Sequence, residues 1–167
     1  MGIFKKKNDF IEKLRENAIE YAIELKDIIM QANWEGKENI DVGGLEYATV
    51  YYDLEFFRQV MSIKYSRFQM ELAIRTIFNT IESNLREAGN NIKDGYMFDK
   101  FVKLSNSIHQ IYNISKENGE DEFCGVAMYM LSDECLMSEK EIMDNYEIVQ
   151  NIARHFRKII NIDINKI

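Results

Sequence analysis

Ser105 and His109 stand one helical turn apart, close enough for the imidazole to act as a base toward the hydroxyl. The sequence around them offers no orienting carboxylate and no oxyanion-hole motif, so the pair reads as a chance spacing. Metal chemistry in helical bundles relies on Glu-x-x-His pairs, which set two ligands on one helix face. Asn106 stands three residues before His109 and Ile152 three before His155, so neither histidine has that partner. The His-Glu-x-x-His pattern is missing too. Glu20, Glu24 and Asp27 share a face at spacings of four and three, but such a row on an amphipathic helix is ordinarily solvated. Gly43-Gly44 lacks both the spacing and the lysine of a phosphate loop.

Cys124 and Cys135, on one helix, would be separated by about 16 Å, too far for a disulfide; both are expected to be small buried hydrophobes. His155, among Arg154, Arg157 and Lys158, is expected to complement a helix C-terminus. No catalytic residue, metal or cofactor is expected, and the chain is read as a non-enzyme.

Two groups remain as binding candidates. Tyr47, Tyr51, Tyr52, Phe56 and Phe57 could line a ligand pocket, although aromatic residues at helical spacing usually form core. Charge is the stronger clue. Residues 116–147 carry ten carboxylates (Glu117, Glu120, Asp121, Glu122, Asp133, Glu134, Glu139, Glu141, Asp144 and Glu147) against Lys116 and Lys140, a local net of −8. The whole chain is at −7, which leaves the remainder at +1. Such a region steers basic partners toward it and disfavours duplex nucleic acid. The competing explanation is that carboxylates gather at helix starts and solvated turns.

These residues must be carried by helices. The chain of 167 residues has no proline, where average usage would supply about eight, and helix interiors exclude proline. Ile11, Leu14, Ala18, Tyr21, Leu25, Ile28 and Ala32 advance in steps of three and four, widened by Ala22 and Ile29, and predict a first helix over about residues 9–33. Residues 33–44, with Gly36 and the Gly43-Gly44 pair, read as a connection, over which Trp34 folds back onto the bundle. A β-hairpin around those glycines, using Thr49, Val50, Tyr51 and Tyr52, is the alternative. Residues 45–88 carry two apolar seams and belong at the centre. As one helix they would be about 66 Å long, too long for a compact chain of this size, so a bend or break is expected near residues 62–67, or else a helix that protrudes toward a partner. Gly89-Asn90-Asn91 and Asn118-Gly119 bound a third helix. Residues 123–137 predict a fourth, and the Ser138/Glu141 capping box opens a fifth that continues to Ile160.

The expected fold is therefore all-α: a compact bundle of four to five helices, with a long, bent or broken central segment. The chain is read as one domain over residues 1–167, with flexible ends at 1–8 and 161–167. No apolar run is long enough to span a membrane, and Lys5-Lys6-Lys7 is followed by no signal-peptide core, so a cytoplasmic location is expected. Alone, those lysines would touch an anionic membrane weakly. The expected function is that of a protein-binding module, such as an inhibitor, immunity-type protein or adaptor. It would present Glu117, Glu120, Asp121, Glu122, Asp133, Glu134 and Glu139 to a partner protein with a basic surface. The alternatives are a small-molecule sensor with its pocket at Tyr47, Tyr51, Tyr52 and Phe56, or a homo-oligomer paired through the central helix.

Overall fold

Every residue from 51 to 57 is buried, polar ones included. A helix with no solvent face must run through the middle of its domain. A computed structural model describes the backbone of residues 2–163 and the side chains of residues 9–163, and that helix is its axis. In chain order the elements are α1 (Gly2–Gln31), a 3-10 turn (Lys37–Asn39), α2 (Val42–Met61), α3 (Arg67–Glu87), α4 (Tyr96–Glu117), α5 (Glu122–Glu134), α6 (Glu139–Asp144) and α7 (Tyr146–Ile160). The central helix, α2, is flanked by α1, α3, α4, α5 and α7. There is no strand among the described residues, and no helix there is long and apolar enough to cross a membrane. The side chains of Lys5, Lys6 and Lys7 and residues 164–167 lie outside the description. The backbone at the expected flexible start is helical from Gly2.

Seven α-helices among the described residues replace the four to five expected, for two local reasons. Residues 45–88 form two helices. α2 ends where Ser62 Oγ donates to the Gln59 carbonyl at 2.6 Å, and α3 starts on a capping box in which Ser66 and Gln69 bond each other's backbone. The expected fifth helix is split at Asn145, whose Nδ2 donates to the Glu141 carbonyl at 2.8 Å. Such local side-chain bonds compete with helix propagation. The glycine pair is not part of the connection, which ends at Asp41; both glycines sit in the first turn of α2, and residues 45–52 are helical, which removes the hairpin. Burial on all sides overrides the strand preference of Thr49, Val50, Tyr51 and Tyr52. Trp34 is buried as expected, with its indole N–H donating to the Ile29 carbonyl at 3.3 Å.

One close approach positions α5. A Cβ added to Gly125 would overlap Ser115 Oγ on α4 and lie 3.2 Å from Ser115 Cβ, so only glycine lets these helices meet at this distance. Gly125→Ala is expected to lower stability by about 1–3 kcal/mol, overriding alanine's helix preference of about 1 kcal/mol. Adding Ser115→Gly should restore most of it, as read by urea denaturation. Equal stability of Gly125→Ala and wild type would refute this close packing.

Candidate functional site

The acidic stretch does not form one surface. α5 has 13 residues and holds its two ends about 18 Å apart. Glu117, Glu120, Asp121 and Glu122 lie at its start. There Asp121 caps the helix, its Oδ1 accepting from the Phe123 and Cys124 amides at 3.0 and 3.1 Å, and its other oxygen pairs with Arg157 of α7. Asp121 is thus committed to the fold. Asp133 and Glu134 lie at the far end, with Glu139 in the first turn of α6.

That far end opens onto a cleft of about 520 Å³, formed where α5 meets the α1–α2 connection. The carboxylates of Glu35, Asp41, Asp133, Glu134 and Glu141 line it, with Lys100 as the cation and Trp34, Ile40, Leu45 and Leu136 as apolar surface. Glu141 is engaged in the Ser138 capping box, which lowers its carboxyl pKa through the Ser138 hydroxyl and amide. Burial raises that of Glu134; Asp133 adds to the rise and Lys100 opposes it. Among the described residues no salt bridge engages Glu35, Asp41, Asp133 or Glu134.

Leu136 stands at the edge of this cleft, 85% exposed, with φ at 54°. It is the one non-glycine residue with positive φ among those described. A left-handed leucine costs roughly 1–2 kcal/mol, and glycine or asparagine is the usual occupant. Here the strained position holds an apolar side chain out in water.

The other candidates disperse. Tyr51, Tyr52 and Phe56 are core: Phe56 stacks on Phe156 at 4.4 Å and Tyr51 meets Phe78 at 5.2 Å. Together with half-buried Tyr47, they line none of the three clefts described here, of about 500, 520 and 690 Å³. Ser105 and His109 share the cleft of about 690 Å³ with Arg58, Arg67, Glu71 and Asp99, an arrangement balanced in charge. The two cysteines are buried and unbonded, and burial pushes the Cys135 thiol up to about 12, which keeps it from acting as a thiolate. No group of three or more His, Cys, Asp or Glu side chains among the described residues could hold a metal ion. Glu24, from the α1 row, bonds Lys158 at 2.6 Å.

His155 does not sit at a solvated helix end. It is 2% exposed, and its Nε2 lies 3.0 and 3.2 Å from the two carboxylate oxygens of Asp53 on α2. Its Nδ1 has no hydrogen-bond partner and faces Glu24 at 3.8 Å. The sequence carried a signal for this pair: Asp53 interrupts the apolar stretch of α2, and His155 falls one turn from Ile152 and Ile159 on the buried face of α7. The pair ties α2 to α7 and reaches no cleft described here. Glu55, held by Arg58, and Glu82 are further buried carboxylates that sequence reading missed.

No protein-family model, no curated protein and no solved structure matches the chain. The class defined by the fold is all-α, and function has to be argued from the cleft.

Proposed function

We propose that this chain is a protein-binding module, an inhibitor, immunity-type protein or adaptor that works by binding and not by catalysis. Its acidic cleft, at the meeting of α5 with the α1–α2 connection, receives a basic segment of a partner protein. The observation carrying this reading is the combination of four carboxylates outside any salt bridge among the described residues with a leucine held bare beside them. The carboxylates suit lysine or arginine heads, and Leu136 and Ile40 suit the apolar residues between them. Charge of this kind sets approach and specificity, while the apolar contact retains the partner. The expected acidic surface is thereby narrowed to Asp133 and Glu134 and joined by Glu35 and Asp41, with Glu117, Glu120 and Glu122 contributing long-range steering.

The test is affinity capture of partners at about 50 and about 300 mM salt, where screening separates charge-steered binding from the rest. Asp133→Lys/Glu134→Lys is expected to reduce capture by about tenfold or more. Glu120→Lys/Glu122→Lys should change the association rate and its salt dependence more than the amount retained. Leu136→Gly should weaken capture while leaving stability unchanged or up to about 1 kcal/mol higher, because it relieves the left-handed leucine. Wild-type capture by Asp133→Lys/Glu134→Lys would sink the proposal.

A further inference from the structure

The opposite end of α2 has a different character. α2 starts at the acidic cleft and, at 1.5 Å per residue, ends about 28 Å away at the turn into α3. There Ile63 is 81% exposed and Phe68 74%. Between them stand Lys64 and Arg67, neither in a salt bridge among the described residues. Of the neighbouring charges, Arg75 holds Glu71 at 3.7 Å, Arg58 holds Glu55 and Arg15 holds Glu12 at 3.5 Å, while Asp99 of α4 shares a cleft with Arg67 and Asp9 is a further acid on α1.

Phe10 of α1 stacks on Tyr65 of the same turn at 4.3 Å, which brings the start of α1 to this end of the molecule. The sequence of those opening turns is Gly2-Ile3-Phe4-Lys5-Lys6-Lys7, the same mixture of apolar and basic residues. The opening turns of α1 therefore reach the same pole of the molecule as the α2–α3 turn. The carboxylate-rich cleft lies at the other pole.

We propose that this pole docks on an anionic lipid surface. Side chains as bare as Ile63 and Phe68 project from a corner and line none of the clefts described above, so they suit shallow insertion among headgroups. The flanking cations suit lipid phosphates. Although the net charge is −7, its polarity would turn the α2–α3 corner toward the membrane and the acidic cleft toward water. Bound this way, the module would keep its cleft open to a soluble partner. The docking is independent of what that cleft binds.

The full chain is tested by co-sedimentation with vesicles containing roughly 30% phosphatidylserine and with pure phosphatidylcholine vesicles. Binding is expected to the anionic vesicles alone and should weaken with salt. Ile63→Ser/Phe68→Ser and Lys64→Glu/Arg67→Glu should each reduce it by about tenfold or more. These side chains are exposed, so unchanged thermal unfolding is the accompanying control. Asp133→Lys/Glu134→Lys should bind at least as well as wild type. Absence of wild-type binding, or equal binding by both corner variants, overturns the proposal. So does a corner variant that dissociates a homo-oligomer yet still binds vesicles, which would assign the patch to a second copy of the chain.

Discussion

His155→Leu is expected to lower stability at pH 7 by about 3–5 kcal/mol, because it leaves the buried Asp53 carboxyl without its imidazole partner. Both side chains are fully buried, so water cannot substitute for the missing partner. Burial already pushes the Asp53 carboxyl up to about 6 from an ordinary 3.8; the His155 hydrogen bond and charge oppose that rise, and Glu24 adds slightly to it. Tyr21 and Glu24 of α1 and Lys158 of α7 are titratable groups beside the pair.

A carboxyl whose pKa is higher folded than unfolded holds its proton more tightly in the native state. Its contribution to stability is complete below about pH 4 and is lost as the pH rises through 6, a difference of roughly 3 kcal/mol. Asp53→Asn should abolish that dependence while keeping an oxygen to accept from Nε2, so it should be at least as stable as wild type at pH 7. The loss in His155→Leu should shrink toward pH 5 as Asp53 becomes protonated. Urea denaturation between pH 4.5 and 7.5 measures all three proteins. A pH-independent difference between wild type and Asp53→Asn would show that Asp53 is not the titrating group.

The second large effect is expected at Glu82. Its carboxylate, 1% exposed on α3, accepts from the Gly95 amide at 2.8 Å and the Met97 amide at 2.6 Å. These N–H groups open α4, where no residue of the helix can accept from them, and a negative charge there also complements the helix dipole. Gly95 itself turns at φ 76° and offers no side-chain cap. Glu82→Ala therefore removes two charge-assisted bonds of roughly 1.5–3 kcal/mol each, with an expected total loss of about 3–5 kcal/mol. Glu82→Gln retains a single acceptor oxygen and should lose about half as much. Amide exchange locates the effect: Gly95 and Met97 should exchange faster in Glu82→Ala than the interior of α2. A uniform loss of protection would mean that Glu82 supports the core in general and not the start of α4.

Both effects belong to long-range contacts, which is why sequence reading missed them. Asp53 and His155 are 102 positions apart; each falls on a buried face of its own helix, but nothing local indicates that the carboxylate of one will meet the imidazole of the other. Glu82 looked like one more charged residue on an amphipathic helix. Its burial follows from the path of residues 88–95, which folds the start of α4 back over α3. Leu136 was unremarked because nothing in its residue type marks a left-handed backbone.

What the sequence determined by itself was written in short periods: the all-helical class, the buried seams of α1 and α4, and the Ser138 capping box; residues 45–88 were expected at the centre as a whole, and α2 is the part that lies there. These follow from 3.6-residue periodicity and from bonds spanning three or four positions, so neighbours in the chain contain the information. The break at residues 62–66 was foreseen from length, and its Ser66/Gln69 box was legible too. Only the tertiary structure decided which charges share a surface. A run of carboxylates continuous in sequence was divided between the two ends of α5, and its far end was joined to Glu35 and Asp41 from a loop about a hundred residues earlier. The corner at Ile63 was likewise joined to the start of α1. The physical reason is that the charge density of a surface depends on how helices pack, and packing is set by the apolar faces, which carry no record of where the charges fall.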